Sequence, residues 1–244
     1  MSQTARRRAA TLAASGAGLA LVWPASVGAS ATKSVTSETC GRPGYSYAGF
    51  QSAGIGHGIA ATVSALSVPT VRSGHAAAWV GVGGPGAANG RDAWIQVGLA
   101  SFGGTGIRLY LEITQPGRAP VYRDVAPSVL PRSRHRLVVR EVTRKPNWWR
   151  ASVDGHPVSS PVYLPGSSGR WHPIATAESW DGGVRTCNRF EYRFEGVSVV
   201  KARGGPWKPF VRGFRFEDPG YRVVPLRAGT GFLARFAAPT GQTP

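Results

Sequence analysis

Few residues in this sequence combine a reactive type with a telling setting. The stretch Asp92 to Ser101 alternates Ile95, Val97 and Leu99 against Trp94, Gln96 and Gly98. In an extended strand these two sets point to opposite faces. The aliphatic set belongs to a core, whereas an aromatic, an amide and a gap side by side suggest a working surface. Two carboxylates have similar surroundings, Glu112 after Tyr110 and Glu178 just before Trp180. Facing each other about 5–10 Å apart, two carboxylates can hydrolyse a glycosidic bond. No E-x-D-x-x-E pattern surrounds this pair, so nothing further in the sequence supports that chemistry.

Other constellations fail on context. Gly81 to Gly86 matches G-x-G-x-x-G, but no helix pattern follows, and Pro85 with Asn89-Gly90 reads as a loop over Gly81–Asn89. The histidines His57, His75, His135, His156 and His172 lack metal-ligand spacing, so neither a metal nor a cofactor is expected. Gly166-Ser-Ser-Gly169 lacks the strand-turn-helix context of a nucleophile elbow. Trp148-Trp149, flanked by Arg144, Lys145 and Arg150, offers rings for stacking, though adjacent strand residues face opposite sides and one ring should enter the core.

The elements that would position these residues are strands. Apolar runs are short, and 33 glycines and 19 prolines punctuate them. This pattern predicts an all-β sandwich or barrel. Strands are expected around Tyr47–Phe50, Gly58–Val68, Ala76–Val82, Asp92–Ser101, Ile107–Thr114, Arg136–Val142, Trp148–Val153, Val162–Leu164, Ile174–Trp180 and Phe190–Val200. Asp154-Gly155 marks a hairpin turn. After Lys201, Gly204-Gly205-Pro206 reads as a linker into a basic, aromatic extension over 201–244. That extension is too short for a domain of its own and is expected to add edge strands or pack across the sandwich.

The N-terminus carries an export signature. Arg6, Arg7 and Arg8 precede an apolar run from Ala9 to Val22, and Ala29-Ser30-Ala31 offers a cleavage site. Residues 1–31 are therefore assigned to a signal peptide, by the general secretory or the twin-arginine route, and 32–44 to a flexible lead-in. The apolar run is too short for a good transmembrane span, so none is expected after signal removal, and the mature chain is expected to be secreted. In an exported chain the two cysteines, Cys40 and Cys187, are expected to form one disulfide. The formal charge is +17, and basic residues crowd the segment Arg118–Arg150. Such a segment could attract an anionic cell-surface polymer. No motif for specific nucleic-acid recognition accompanies it.

The order of the informative pieces resembles the glutamic peptidases, the eqolisin family or peptidase family G1. Tyr47-Ala-Gly49 is similar to that family's short W-x-G strand. Val68-Pro69 leads to Ala78-Trp-Val-Gly-Val-Gly-Gly84, which resembles A-W-V-G-I-D-G. Trp94-Ile-Gln-Val-Gly98 resembles I-L-Q-T-G, and Tyr110 to Pro116 resembles W-Y-E-x-x-P. Ile174 to Glu178 resembles, more loosely, the late A-E-x-I-x-E strand. The likeness covers roughly Tyr45 to Val200 and is most specific in its first half. It implies a concanavalin A-like β-sandwich of two antiparallel sheets over 45–200.

The resemblance also implies a secreted endopeptidase acting on polypeptide substrates in acid. Gln96 would be the catalytic glutamine and Glu178 the catalytic glutamate. The carboxylate of Glu178 would take a proton from the attacking water and later return it to the leaving amine. The Gln96 amide would donate to the developing oxyanion. Trp79, Trp94, Glu112 and Trp180 would contact substrate, and Gly98 would leave room for the bound chain. A second register is open, with Glu178 at the family's earlier glutamate and Gly182 at the catalytic position. The sequence departs from the family in having Gly83 where an aspartate stands and in its strongly basic charge. The competing reading is a non-catalytic concanavalin-like module that binds glycan or an anionic cell-wall polymer through the same face.

Overall fold

A computed structural model describes residues 44–182, 187–210, 213–227 and 229–237. The expected signal peptide, the lead-in up to residue 43, and Cys40 lie outside these residues. Cys187 is buried and is not a free thiol. Among the described residues no helix is long and apolar enough to cross a membrane.

Among the described residues, sixteen strands form two antiparallel sheets. The first contains β1 (Tyr45–Ser52), β3 (His75–Ala88), β4 (Arg91–Phe102), β5 (Ile107–Thr114), β6 (Val121–Val129), β11 (Ile174–Trp180) and β14 (Gly213–Glu217). Their spatial order is β14-β1-β11-β3-β4-β5-β6. The second contains β2 (Gly58–Ala65), β7 (His135–Glu141), β8 (Trp148–Val153), β10 (Val162–Tyr163), β12 (Glu191–Val200), β15 (Tyr221–Pro225) and β16 (Phe232–Phe236). Their order is β10-β8-β7-β2-β12-β16-β15, with β9 (His156–Pro157) on β8 and β13 (Trp207–Pro209) on β12.

The period-2 pattern explains how the layers meet. Ile95, Val97 and Leu99 of β4 are buried with Ala78, Val80 and Val82 of β3. Leu137 and Val139 of β7, and Tyr192 and Phe194 of β12, face them from the other sheet within one core. Burying a large apolar side chain contributes about 1.5–3 kcal/mol, so this layer holds the sandwich closed. Trp149 is fully buried, and its indole N–H donates to Ser167 Oγ at 2.8 Å. Trp148 stays at the surface, tilted against Tyr163.

Three expectations change. Gly81–Asn89 is not a loop: β3 runs on to Ala88, and its pairing with β4 shifts between Gly84 and Ala88. Gly86, inside this shift, has φ of 69°, a conformation that L side chains resist. The strand Val121–Val129 has no counterpart among the expected strands, because it is an exposed edge strand with Pro127 in it and carries no buried alternation. The run from Gly58 ends as a strand at Ala65 rather than Val68. Residues beyond 200 enter both sheets, β14 beside β1 and β16 beside β12.

The basic segment does not lie on one sheet. Arg123 is on β6 of the first sheet, whereas Arg136 and Arg140 are on β7 of the second. Several of its cations are also engaged within the chain. Arg136 donates to Gly196 O and Ser198 Oγ, Arg140 donates to Gly205 O, and Arg134 pairs with Glu195.

Candidate active site

Strands β11, β3, β4 and β5 are adjacent, and their second faces turn away from the core. On that face Trp79 is opposite Gly98, and Gly98 is opposite Tyr110. A Cβ at Gly98 would lie 2.4 Å from Ala78 O, 2.7 Å from Trp79 Cβ and 2.8 Å from a Tyr110 ring carbon. The gap beside Gln96 is thus filled by Trp79 and Tyr110, not left open for a bound chain. Ala77, Trp79, Ala100 and Tyr110 form an apolar cluster separate from the main core.

Glu178 is opposite Ala77 on one side and Tyr47 on the other. Its residue is 5% exposed. The Trp79 indole N–H donates to Glu178 Oε2 at 2.9 Å, and His75 Nε2 lies 3.0 Å from Oε1. A buried carboxylate needs such partners, because an unpaired buried charge is strongly disfavoured. Both of its oxygens are therefore held.

Gln96 is opposite Gly81 and Glu112. It is 8% exposed, and its Nε2 donates to the Tyr110 hydroxyl at 3.2 Å. Nε2 also lies 3.5 Å from Glu112 Oε2, at the outer limit of a hydrogen bond. Trp94 Nε1 donates to Glu112 Oε1 at 2.9 Å. Burial raises the pKa of Glu112 above its ordinary value; the Trp94 hydrogen bond opposes this, and the Glu178 charge adds to it. Burial, with Glu178 and Glu112 nearby, also pushes the Tyr110 hydroxyl well above the usual tyrosine range.

The site therefore has two halves, Glu178 with Trp79 and His75, and Gln96 with Glu112, Tyr110 and Trp94. No hydrogen bond joins Gln96 to Glu178 among the described residues. β3 runs between their strands, and their partners on it, Gly81 and Ala77, stand four residues apart. Trp79 lies midway on the diagonal. A cavity of about 400 Å³ is nonetheless lined by Gln96, Glu112, Glu178, Trp79 and Trp94 together. A second cavity of about 270 Å³ shares Glu112 and Glu178 and is closed by His75, Phe102 and Tyr122.

Of the residues expected to contact substrate, Trp79, Trp94 and Glu112 line the larger cavity. Trp180 does not line either of these cavities; it is 39% exposed at the end of β11, against Tyr45 and His75. Gly182, the catalytic position in the second register, follows β11 in a turn, where a Cβ would meet Ser73. Glu178 is thus the carboxylate that the strand turns into the cavities. The sequence did not single out Tyr45, Phe216 or His75. His75 shares the alternation of Ala77 and Trp79, a signal that could have placed it on this face. Phe216 arrives from β14, which no local pattern links to the site.

No protein-family model matches the sequence, and no curated protein matches it. Among solved structures, scytalido-glutamic peptidase with a peptide-based transition-state analogue is similar at a TM-score of 0.59 and 17% identity, covering 79% of this chain and 98% of that one. The same peptidase with a transition-state-analogue inhibitor gives 0.58 and 14% over the same shares. SCP-B, a member of the eqolisin family of peptidases in complex with the tripeptide Ala-Ile-His, gives 0.55 and 14%, again over 79% and 98%. The fold expected from the sequence is present: this chain folds as the glutamic peptidases do.

Proposed function

We propose that this chain is a peptidase that hydrolyses peptide bonds with Gln96 and Glu178. The observation that carries this reading is the shared cavity, lined by both a buried carboxylate held by Trp79 and a buried amide, in a glutamic-peptidase fold. Glu178 takes the proton from water as it attacks the scissile carbonyl and passes it to the leaving amine. Gln96, oriented by Tyr110, turns its more weakly held N–H from Glu112 to the developing oxyanion. Trp79 and Trp94 border the bound segment. Secretion and an acidic working range belong to the same proposal, on the strength of the N-terminal pattern and of the carboxylate chemistry.

The test is cleavage of an unfolded protein substrate from pH 2 to 8 by the mature chain. Gln96→Ala and Glu178→Gln should each lower kcat by about 100-fold or more, as loss of a proton carrier or an oxyanion donor does. Cleavage that survives both substitutions sinks the proposal. A second reading draws on the aromatic lining by Tyr45, Tyr47, Trp79 and Trp94, which suits stacking against sugar rings. A folded chain without cleavage at any pH, yet retained on a glycan array, would favour that binding module.

A further inference from the structure

His75 is an isolated histidine in the sequence, yet the fold brings it to Glu178. Three rings surround its imidazole: Tyr45 from β1 at 6.1 Å, Phe102 from β4 at 5.6 Å and Trp180 from β11 at 5.7 Å between centroids. Its side chain is 18% exposed, and Nε2 is 3.0 Å from Glu178 Oε1. The other oxygen of Glu178 is held by Trp79. The nearby charged groups are few among the described residues. Glu112 lines the same small cavity from β5. Arg108 lies over the Phe102 ring but is paired with Asp124. Among the described residues His75 is the basic side chain in hydrogen-bond contact with the Glu178 carboxylate.

We propose that His75 is a positioning residue of this site, holding Glu178 in one orientation and in its ionised form. The proposal rests on the hydrolytic reading of Glu178. A neutral His75 with its proton on Nε2 donates it to the carboxylate, a bond already assisted by the charge of the acceptor. A second proton on the ring adds the direct attraction of opposite charges to that bond. A protonated ring beside Glu178 favours the carboxylate, the form that must act as base. Trp79 supplies a fixed neutral donor on the other side. Together they pin both oxygens, so the basic lone pair points along one line into the cavities. The three rings packed around the imidazole limit its rotation.

Two measurements test this on the full mature chain. The first is 15N NMR of the imidazoles, with His75→Asn used to assign the His75 signals. The ring should be protonated at Nε2 when neutral, and its N–H proton should lie downfield. That proton should move upfield in Glu178→Gln, where the charged acceptor is gone. An unmoved signal, or a ring protonated at Nδ1 alone, overturns the pairing. The second is kcat/KM against pH for His75→Asn, which keeps an N–H donor, and His75→Phe, which keeps the packed ring. The acid limb should move to higher pH in both, with KM within about twofold and kcat down about tenfold in acid. Asn should recover more rate than Phe near neutral pH. An equal loss at every pH, or no loss, overturns the positioning role. A wild-type chain that cleaves nothing defeats the hydrolytic reading instead, while the NMR arm still decides the pairing.

Discussion

At the scale of single residues, the site contains two buried carboxylates under different control. Glu178 has both oxygens occupied, by Trp79 and His75. Glu112 has one strong donor, Trp94, and a raised pKa caused first by burial. A carboxyl whose pKa is higher folded than unfolded binds more protons in the native state. Its contribution to stability is then greatest in acid and declines as pH rises from the ordinary carboxylate value through the raised one. Glu112→Gln keeps the acceptor for Trp94 and removes the charge. Its melting temperature should equal that of the wild type in acid and exceed it near neutral pH. Thermal melts across this range, with the two curves parallel throughout, would refute the assignment. Gln96 could be placed on the second face of its strand by alternation, whereas Glu178 rested on a looser likeness with a second register open. His75 was not legible, because its meaning comes from Glu178, 103 positions away in the chain.

At the scale of elements, one glycine decides whether the two halves can lie side by side. Gly98 stands between Trp79 on β3 and Tyr110 on β5. Backbone lies within 2.4 Å of its missing Cβ, so a side chain there cannot be absorbed by a rotamer change. Gly98→Ala should cost about 1–3 kcal/mol through overpacking. It should also displace Trp79 and with it the hydrogen bond on Glu178, so rate should fall beyond what lost stability explains. Denaturant melts beside rates on the folded fraction check this; a Gly98→Ala variant of native stability and rate would contradict it. Alternation revealed the buried strands, since Ile95, Val97 and Leu99 can satisfy only one core face. It did not reveal β6, whose residues are mostly exposed, or the tail of β3, where glycines replace alternation. Those elements exist through pairing with neighbours, which no local pattern records.

At the scale of the whole molecule, the boundary expected near residue 200 is not where the packing ends. β14 continues the first sheet beside β1, and β16 continues the second beside β12. Phe232 stacks on Phe194 at 4.4 Å, and Tyr221 stacks on Phe190 at 5.0 Å. A chain ending at Val200 would expose an edge on each sheet and lose these rings from the core. It should show no cooperative thermal unfolding and should aggregate where the full chain does not. A truncated chain that melts sharply would restore 45–200 as an autonomous unit. The same topology imposes an order in time. Phe216 lines the larger cavity, and β14 can dock on β1 only after about 160 intervening residues have been made. A nascent chain emerging N-terminus first therefore carries an unfinished cleft for most of its synthesis. The cleft thus gains its Phe216 side only when the last strands arrive, after the strands that carry Gln96 and Glu178 have been made.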